Sequence, residues 1–419
     1  MPARFCGRSE ELAHLQALWQ EVATGSGPQV VVLLGDSHVG KTRLVQELYG
    51  WLARENRSDA AQGYWPLSLT EAERNLLINP PLEDVDETQN PPFMWWGVRV
   101  SDPGNRNSAG TGAIWRALSY LDAHLAPLQR AQRHKRYWLD QMRSAAPTLI
   151  KHIPIVGPGF ELAGPVIEFI RRDIERQRHE VARALDDEER ALRVELNERI
   201  VNKLGLLMRP REDAAPIPLV WVLDDAHFSP GDPGVTELLE RMLREADVVG
   251  WPLLTVVTHW AQPWHEELEG DGPPGIAQRL QALKDDFFLP DLEPVDLGPL
   301  APVALGSMLD ERLPGLSPEQ RARLLERADG LPGFLDELTS FCIEEPYLFV
   351  DNDPTQPLEP DGLEEVNCPG YCRGSALPGL LDRATRIAYA GTSQLMAHAH
   401  SEFRLRVRTP GGKHGSLAP

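Results

Sequence analysis

The sequence predicts an α/β fold: a parallel sheet with helices on both faces, a long helical insertion and a small helical lid toward the C-terminus. Three observations predict it. The runs Gln29-Val-Val-Val-Leu-Leu34, Pro218-Leu-Val-Trp-Val-Leu-Asp224 and Pro252-Leu-Leu-Thr-Val-Val-Thr258 are continuous β-branched and aliphatic stretches, as strands buried on both faces require. A glycine-bearing loop follows the first run and opens into the helix-like Arg43-Leu-Val-Gln-Glu-Leu-Tyr-Gly-Trp-Leu-Ala53. From Val166 to about Met208, apolar residues recur at helical spacing in charged surroundings.

The loop after the first strand reads Gly35-Asp36-Ser37-His38-Val39-Gly40-Lys41-Thr42, the full GxxxxGK[ST] pattern between a strand and a helix. Glycines let the backbone curl so that successive N–H groups face phosphate oxygens, and the helix N-terminus adds its dipole. Residues 35–42, with Arg43 beside them, are therefore the expected nucleotide contacts. Lys41 is placed to reach the β and γ phosphates, and the Thr42 hydroxyl to serve Mg²⁺. The sheet is accordingly expected to be that of a P-loop NTPase.

Such a loop needs a carboxylate on a second strand, and Leu223-Asp224-Asp225-Ala-His227 ends one. Asp224 is expected to hold Mg²⁺, because a strand ending in an acid delivers its carboxylate to the C-terminal edge of the sheet. Asp225 is expected to orient or deprotonate the attacking water; the alternative is that it caps the next helix. At the end of the third strand, Thr258 or His259 could sense the γ-phosphate. Equally, Thr258 simply ends the strand and His259 is partly exposed.

At these residues the chain resembles the STAND ATPases, the signal-transduction branch related to AAA+ proteins. The resemblance rests on Phe5-Cys-Gly7-Arg8-Ser-Glu-Glu-Leu, the loop at 35–42, Leu223 to His227, and Gly330-Leu331-Pro332 before a helix. It covers residues 3–60 and 215–345. It implies an ATP-driven switch that hydrolyses slowly and controls assembly or an effector, with Gly7 and Arg8 near the adenine and Pro332 at the turn of the lid. It also implies a departure: where many relatives end a strand in threonine, an aromatic and arginine, this chain has Thr258-His259-Trp260. If that arginine touches the γ-phosphate, the donor is missing here and a non-catalytic ATP-binding scaffold becomes the alternative.

The remaining sequence bounds the partners. The 419 residues suffice for roughly two or three domains. The expected divisions are an ATPase core over 1–110 and 215–298, a mostly helical insertion over 111–214, a lid over 299–345 and an irregular, disordered tail over 346–419. A net charge of −20 repels phosphate backbones and anionic lipid, which disfavours a nucleic-acid partner. The start MPARFCGRSEEL lacks the apolar core of a signal peptide, and 153–170 carries six Gly or Pro with Glu161 and Glu168, so no membrane span is expected. Four cysteines make no disulfide framework, which suits a reduced, cytoplasmic protein. Cys368, Cys372, His398 and His400 fit no usual zinc spacing.

Between the phosphate loop and Asp224, Phe93 to Ser101 reads as a further strand and Ala113 to Leu128 as a helix. The segment 166–208 is expected to cover its own domain or to offer a partner surface, its heptads being broken by Asp186-Asp-Glu-Glu-Arg190. No repeat of fixed period follows the lid, so the output is expected from a protein partner, from self-assembly, or from a longer chain. A GTPase is disfavoured because Asn202-Lys203-Leu204-Gly205, the nearest guanine-reading string, lacks its aspartate. A kinase could use Arg321, Arg323 and Arg327, but LDDAH and the Gly-x-Pro turn suit hydrolysis and switching better.

Overall fold

The computed structural model describes residues 5–56, 65–69, 77–80, 91–100, 113–114, 117–118, 120–121, 180–209, 215–270, 274–286 and 292–359, with backbone alone for 180–189 and 192. These residues fall into two units. Of the described residues, the first comprises those in Arg8–Gly35 and Lys41–Leu297; the second takes 5–7, the short Asp36–Gly40 and those from Gly298.

The first unit is built on a five-stranded sheet. Its elements in chain order are α1 (Ser9–Ala23), β1 (Gln29–Leu34), α2 (Lys41–Glu55), β2 (Met94–Arg99), α3 (Glu180–Met208), β3 (Leu219–Asp224), α4 (Pro233–Val249), β4 (Leu253–His259), α5 (Ala261–Glu269), α6 (Ile276–Asp285) and β5 (Val295–Asp296). The sheet order is β2-β3-β4-β1-β5, and every pairing is parallel. All residues of β3 and β4 are buried, the condition under which a strand can be apolar at every position rather than at alternate ones.

Register matters most at the C-terminal ends of the strands. Leu34 lies opposite His259, and Arg99 lies opposite Asp224. The strand expected from Phe93 to Ser101 is thus present as Met94–Arg99, and its last residue is carried to the end of β3.

β2 is an edge strand, and the fold covers it with aromatic side chains and loop carbonyls. Trp96 stacks on Trp221, its register partner, with ring centroids 5.7 Å apart. Trp95 and Trp96 each donate an indole N–H, to the carbonyls of Ile78 (2.7 Å) and Ala117 (3.0 Å). Asn79 brackets Gly97, accepting from its N–H at 2.6 Å and donating to its carbonyl at 2.8 Å. The edge is thereby closed to a further strand along this stretch. The indoles of Trp95 and Trp96 thus have their polar atoms satisfied, whereas the N–H of the stacked Trp221 is buried without a partner.

The described part of the 166–208 segment is one unbroken helix, α3, which runs straight through Asp186-Asp-Glu-Glu-Arg190. Its Leu196, Ile200, Val201, Leu204, Leu207 and Met208 are buried in the same core as the sheet, together with Ala113, Ile114 and Leu121. The described helical residues between 113 and 121 agree with the expected helix there; its remainder to Leu128 lies outside the described residues. Polar contacts fasten α3 to α4: Asn197 donates to the Gly234 carbonyl, and Arg241 pairs with Glu198. No helix among the described residues is long and apolar enough to cross a membrane.

The second unit holds α7 (Pro302–Arg312), α8 (Pro318–Ala328) and α9 (Pro332–Glu344). Ser317 and Gln320 form a capping box that starts α8, and Asp329 ends it in the left-handed conformation. The apolar faces meet in a small core of Leu305, Leu309, Leu324, Leu335, Leu338 and Cys342. Leu348, Phe349 and Leu358 belong to that core as well. Residues 346–359, expected to start the irregular tail, therefore pack as two short 3₁₀ turns and an isolated bridge between Phe349 and Leu358. The Cys368 and His398 positions considered for zinc lie outside the described residues.

Gly205 sets how closely α3 can approach the core. A Cβ there would stand 2.5 Å from Cζ2 of the fully buried Trp251. On an exposed helix, glycine to alanine stabilises by about 1 kcal/mol; here the overpacking term of about 1–3 kcal/mol opposes it and wins. Gly205→Ala is expected to lower the stability of the protein in urea unfolding, and a gain would show that Trp251 yields freely.

Candidate functional site

The site is assembled where β1, β2, β3 and β4 end. After β1 the chain turns through Gly35–Gly40 into α2, with Gly40 at φ 98° and His38 at φ 66°. The curl places Lys41 Nζ 2.8 Å from the carbonyl of Gly35, and the lysine is buried although it carries a charge. Val39 is buried, and the Ser37 hydroxyl lies 2.8 Å from Nδ1 of His38. Arg43, expected among the nucleotide contacts, is engaged by Glu47 one turn on in α2, at 2.6 and 2.9 Å.

Asp224 is the centre of the arrangement. It is fully buried at the last position of β3. Its Oδ1 accepts from the Thr42 hydroxyl at 3.2 Å and from the Thr258 hydroxyl at 2.8 Å. Its Oδ2 accepts from Nε and Nη2 of Arg99 at 2.8 and 2.6 Å. Burying a carboxylate without partners would be prohibitive, and four donors from three other elements meet that cost.

Asp225 follows in the left-handed region, φ 57° and ψ 40°, at the start of a 3₁₀ turn over Ala226–Gly231. Its backbone N–H donates to Thr258 Oγ1 at 3.0 Å. Its side chain makes no capping hydrogen bond, so the alternative of a helix cap is not the geometry adopted. The carboxyl is half-buried, with Oδ2 3.7 Å from Nε of Arg99. Burial and the adjacent Asp224 charge raise it to about 7, against the opposing pull of Arg99 and Lys41. Burial lowers the pKa of Arg99, but the two carboxylates more than compensate, and the guanidinium is raised above its ordinary value.

At the end of β4, Thr258 and His259 have different surroundings. Thr258 joins the acid pair from below, bridging Asp224 and Asp225. His259 is not partly exposed but wholly buried, with Nδ1 2.8 Å from the Trp260 carbonyl and Nε2 3.1 Å from Glu267 on α5. Trp260 stacks on His227, ring centroids 4.2 Å apart and planes at 16°. Both ring nitrogens of His227 are buried without a hydrogen-bond partner, and burial, with the charges of His259 and Lys41, lowers its pKa to about 2.

The two residues expected near the adenine fall on either side of the division between the units. Arg8 precedes α1, is buried and pairs with Glu11 at 3.0 Å. Gly7 belongs to the second unit, where a Cβ would come within 3.0 Å of Ala304 and Leu300. Pro332 and Gly40 are neighbours in that same unit, the proline Cγ lying 3.5 Å from where a Gly40 Cβ would be. Also within it, the Gly333 N–H donates to the His38 carbonyl at 2.9 Å and His38 Nε2 lies 3.2 Å from Glu337.

Sequence reading missed Arg99, Glu267 and Glu337. Arg99 alone left a signal: a cation at the end of a predicted strand, as Asp224 ends another.

A parallel sheet ordered β2-β3-β4-β1-β5, with a glycine-bearing loop and a lysine-threonine helix start after β1, is the P-loop NTPase architecture. The chain belongs to the AAA ATPase domain family, whose profile matches residues 4–256. Membership implies ATP as the ligand and, typically, Mg²⁺ with it. No curated protein matches the chain. Among solved structures, it is similar to the Orc1 protein of Aeropyrum pernix, determined in complex with DNA, at 14% identity and TM-score 0.42, covering 87% of this chain and 66% of that one, just under two thirds of its length. It is also similar to domain III of the replication initiation protein DnaA of Thermotoga maritima, at 10% identity and TM-score 0.39 over 87% and 97% of the two chains. A third similarity is to a Walker-type ATPase of Pyrococcus abyssi, at 14% identity and TM-score 0.39 over 86% and 71%.

Thr258 serves two buried partners with one hydroxyl, and valine has its shape without its polarity. Thr258→Val is expected to cost about 1–3 kcal/mol, because it orphans the Asp225 N–H and removes a donor from Asp224. Chemical unfolding measures this, and a neutral result would show that water replaces the hydroxyl.

Proposed function

We propose that this chain is an ATP-driven switch of the STAND type, in which Lys41 contacts the β and γ phosphates, Thr42 and Asp224 hold Mg²⁺, and Asp225 positions the attacking water. The observation that carries the reading is the meeting of the Thr42 hydroxyl with the Asp224 carboxylate at 3.2 Å, from elements 182 residues apart. Hard oxygen donors of this kind suit Mg²⁺, which keeps most of its water and takes one or two protein ligands. When bound, the ion would neutralise phosphate charge. The chain's own part is to orient: Asp225, its carboxyl raised to about 7, is poised to accept a proton near neutral pH.

The switch component has support of its own. His38, in the middle of the phosphate loop, is bonded to α9 through Gly333 and Glu337, so a change in that loop's backbone is felt by α9. Residues 35–40 supply the remaining phosphate contacts in this reading, Gly7 and Arg8 lie near the adenine, and Pro332 forms the turn of the lid. Arg43, held by Glu47, is left as a flanking residue. The partner is another protein or a second copy of the chain, in the cytoplasm.

One observation favours a second reading, the ATP-binding scaffold. Trp260, which stands where relatives carry an arginine, is committed to stacking on His227 and supplies no cation.

The nucleotide assignment makes a direct prediction. Lys41→Ala is expected to weaken ATP binding by about 10- to 100-fold, the worth of a charge-assisted hydrogen bond; ATP is expected to bind more tightly than GTP. Isothermal titration of both nucleotides decides it, and unchanged ATP affinity in the variant refutes the phosphate role of Lys41. The two acids are separated by what they change. Asp225→Asn should bind nucleotide almost as wild type and lose turnover by roughly 10²–10⁴-fold, the usual contribution of a positioned base. If wild type and variant bind equally in single-turnover assays and neither releases phosphate, the scaffold reading replaces hydrolysis.

For the switch, Mg²⁺ and ATP are expected to slow hydrogen exchange across Leu297 to Phe341. Identical exchange with and without ATP would mean that α9 does not respond to nucleotide.

A further inference from the structure

Among the described residues, Arg99 is the one strong cation in the acid cluster that the proposed chemistry does not use. Parallel pairing of β2 with β3 sets it opposite Asp224, and its guanidinium places Nε and Nη2 on the same carboxylate oxygen, Oδ2, at 2.8 and 2.6 Å. The other oxygen, Oδ1, is taken by the Thr42 and Thr258 hydroxyls. Asp224 therefore has donors on both oxygens, and these donors differ in kind. A hydroxyl can rotate and offer a lone pair to a cation or its water, whereas a guanidinium has only donors and repels any metal. For Mg²⁺ or its water shell to reach Oδ2, Arg99 has to leave.

The surroundings allow that movement. The Arg99 side chain is 39% exposed while that of Asp224 is 1% exposed, so the acid is fixed and the base is able to swing. A second carboxylate is within reach, since Asp225 Oδ2 lies 3.7 Å from Arg99 Nε. Departure from Asp224 thus does not strand the guanidinium without a counter-charge.

We infer that Arg99 is a positioning residue that acts as the resident counter-ion of Asp224, withholding its Oδ2 from divalent metal until Mg²⁺ arriving with nucleotide displaces it. The inference rests on the reading of Asp224 as the Mg²⁺ residue. In the metal-free protein the pair keeps a buried carboxylate from standing uncompensated. It also sets a threshold at Oδ2, because the metal has to compete there with two guanidinium hydrogen bonds to the same oxygen.

The test is the Mg²⁺ concentration needed for half-maximal binding of a fluorescent ATP analogue, measured on the full chain. In Arg99→Gln the competitor is gone, and the midpoint is expected to fall by about tenfold, as for loss of one partly screened charge pair. Arg99→Lys keeps the charge but not the fork, so its midpoint should fall between the two. If the glutamine variant does not fold, the lysine variant carries the test alone, and a midpoint equal to or above wild type overturns the inference. The same result in a folded Arg99→Gln overturns it too. Weaker binding of the ATP analogue, but not of its ADP counterpart, at saturating Mg²⁺ also overturns it, by making Arg99 a γ-phosphate ligand. Asp224→Asn separates the two layers. If that variant leaves the Mg²⁺ dependence of wild type unchanged, the metal reading fails and this inference with it; if it alters the dependence while Arg99→Gln does not, only the counter-ion role falls.

Discussion

A single buried carboxylate constrains the sheet. Asp224 has no solvent to stabilise it, so its charge has to be met by donors fixed in space, and these come from the start of α2, the end of β2 and the end of β4. Each donor is useful only if its strand ends at the right level. A one-residue slip of β2 along β3 would move Arg99 to the wrong face and leave the acid short of a counter-charge. The register at the C-terminal edge is therefore held by polar chemistry as well as by hydrophobic packing, and the same few atoms form the candidate site.

The rest of the first unit can be understood as what keeps those ends level. β2 sits at the edge, where a strand is free to slide or fray, and it is the strand most heavily fastened: two indoles hydrogen-bonded to loop carbonyls, a tryptophan pair stacked across to β3, and Asn79 gripping Gly97. Behind β3 and β4, the last turns of α3 pack beside α4 at a glycine that admits Trp251. A helix that could have served as a free surface is spent on the core along its apolar face.

The loop after β1 has a second set of obligations. Lys41 and Thr42 belong with the sheet, whereas Asp36–Gly40 belong with the three-helix unit, where His38 is bonded to α9 at both its backbone and its ring. The acid pair and the His38 contacts are the chemical and mechanical halves of the switch we propose.

The sequence by itself determined the features whose physics is local: buried strands as unbroken apolar runs, the phosphate loop as a fixed spacing of glycines, lysine and threonine, and the acidic end of β3. These depend on residues within about ten positions of one another, so one stretch of chain contains the whole signal. The tertiary structure decided everything that depends on register between distant strands or on who covers whom. Arg99 is 125 positions from Asp224, and only the pairing of β2 with β3 makes them partners. Thr258 and His259 read alike as polar strand ends, yet successive residues of a strand point to opposite faces, and Thr258 bridges the two acids while His259 meets Glu267 in the core. Residues 346–359 lack periodicity, so nothing local marks them as folded; they are ordered because Leu348, Phe349 and Leu358 complete an apolar core that the three helices alone leave open.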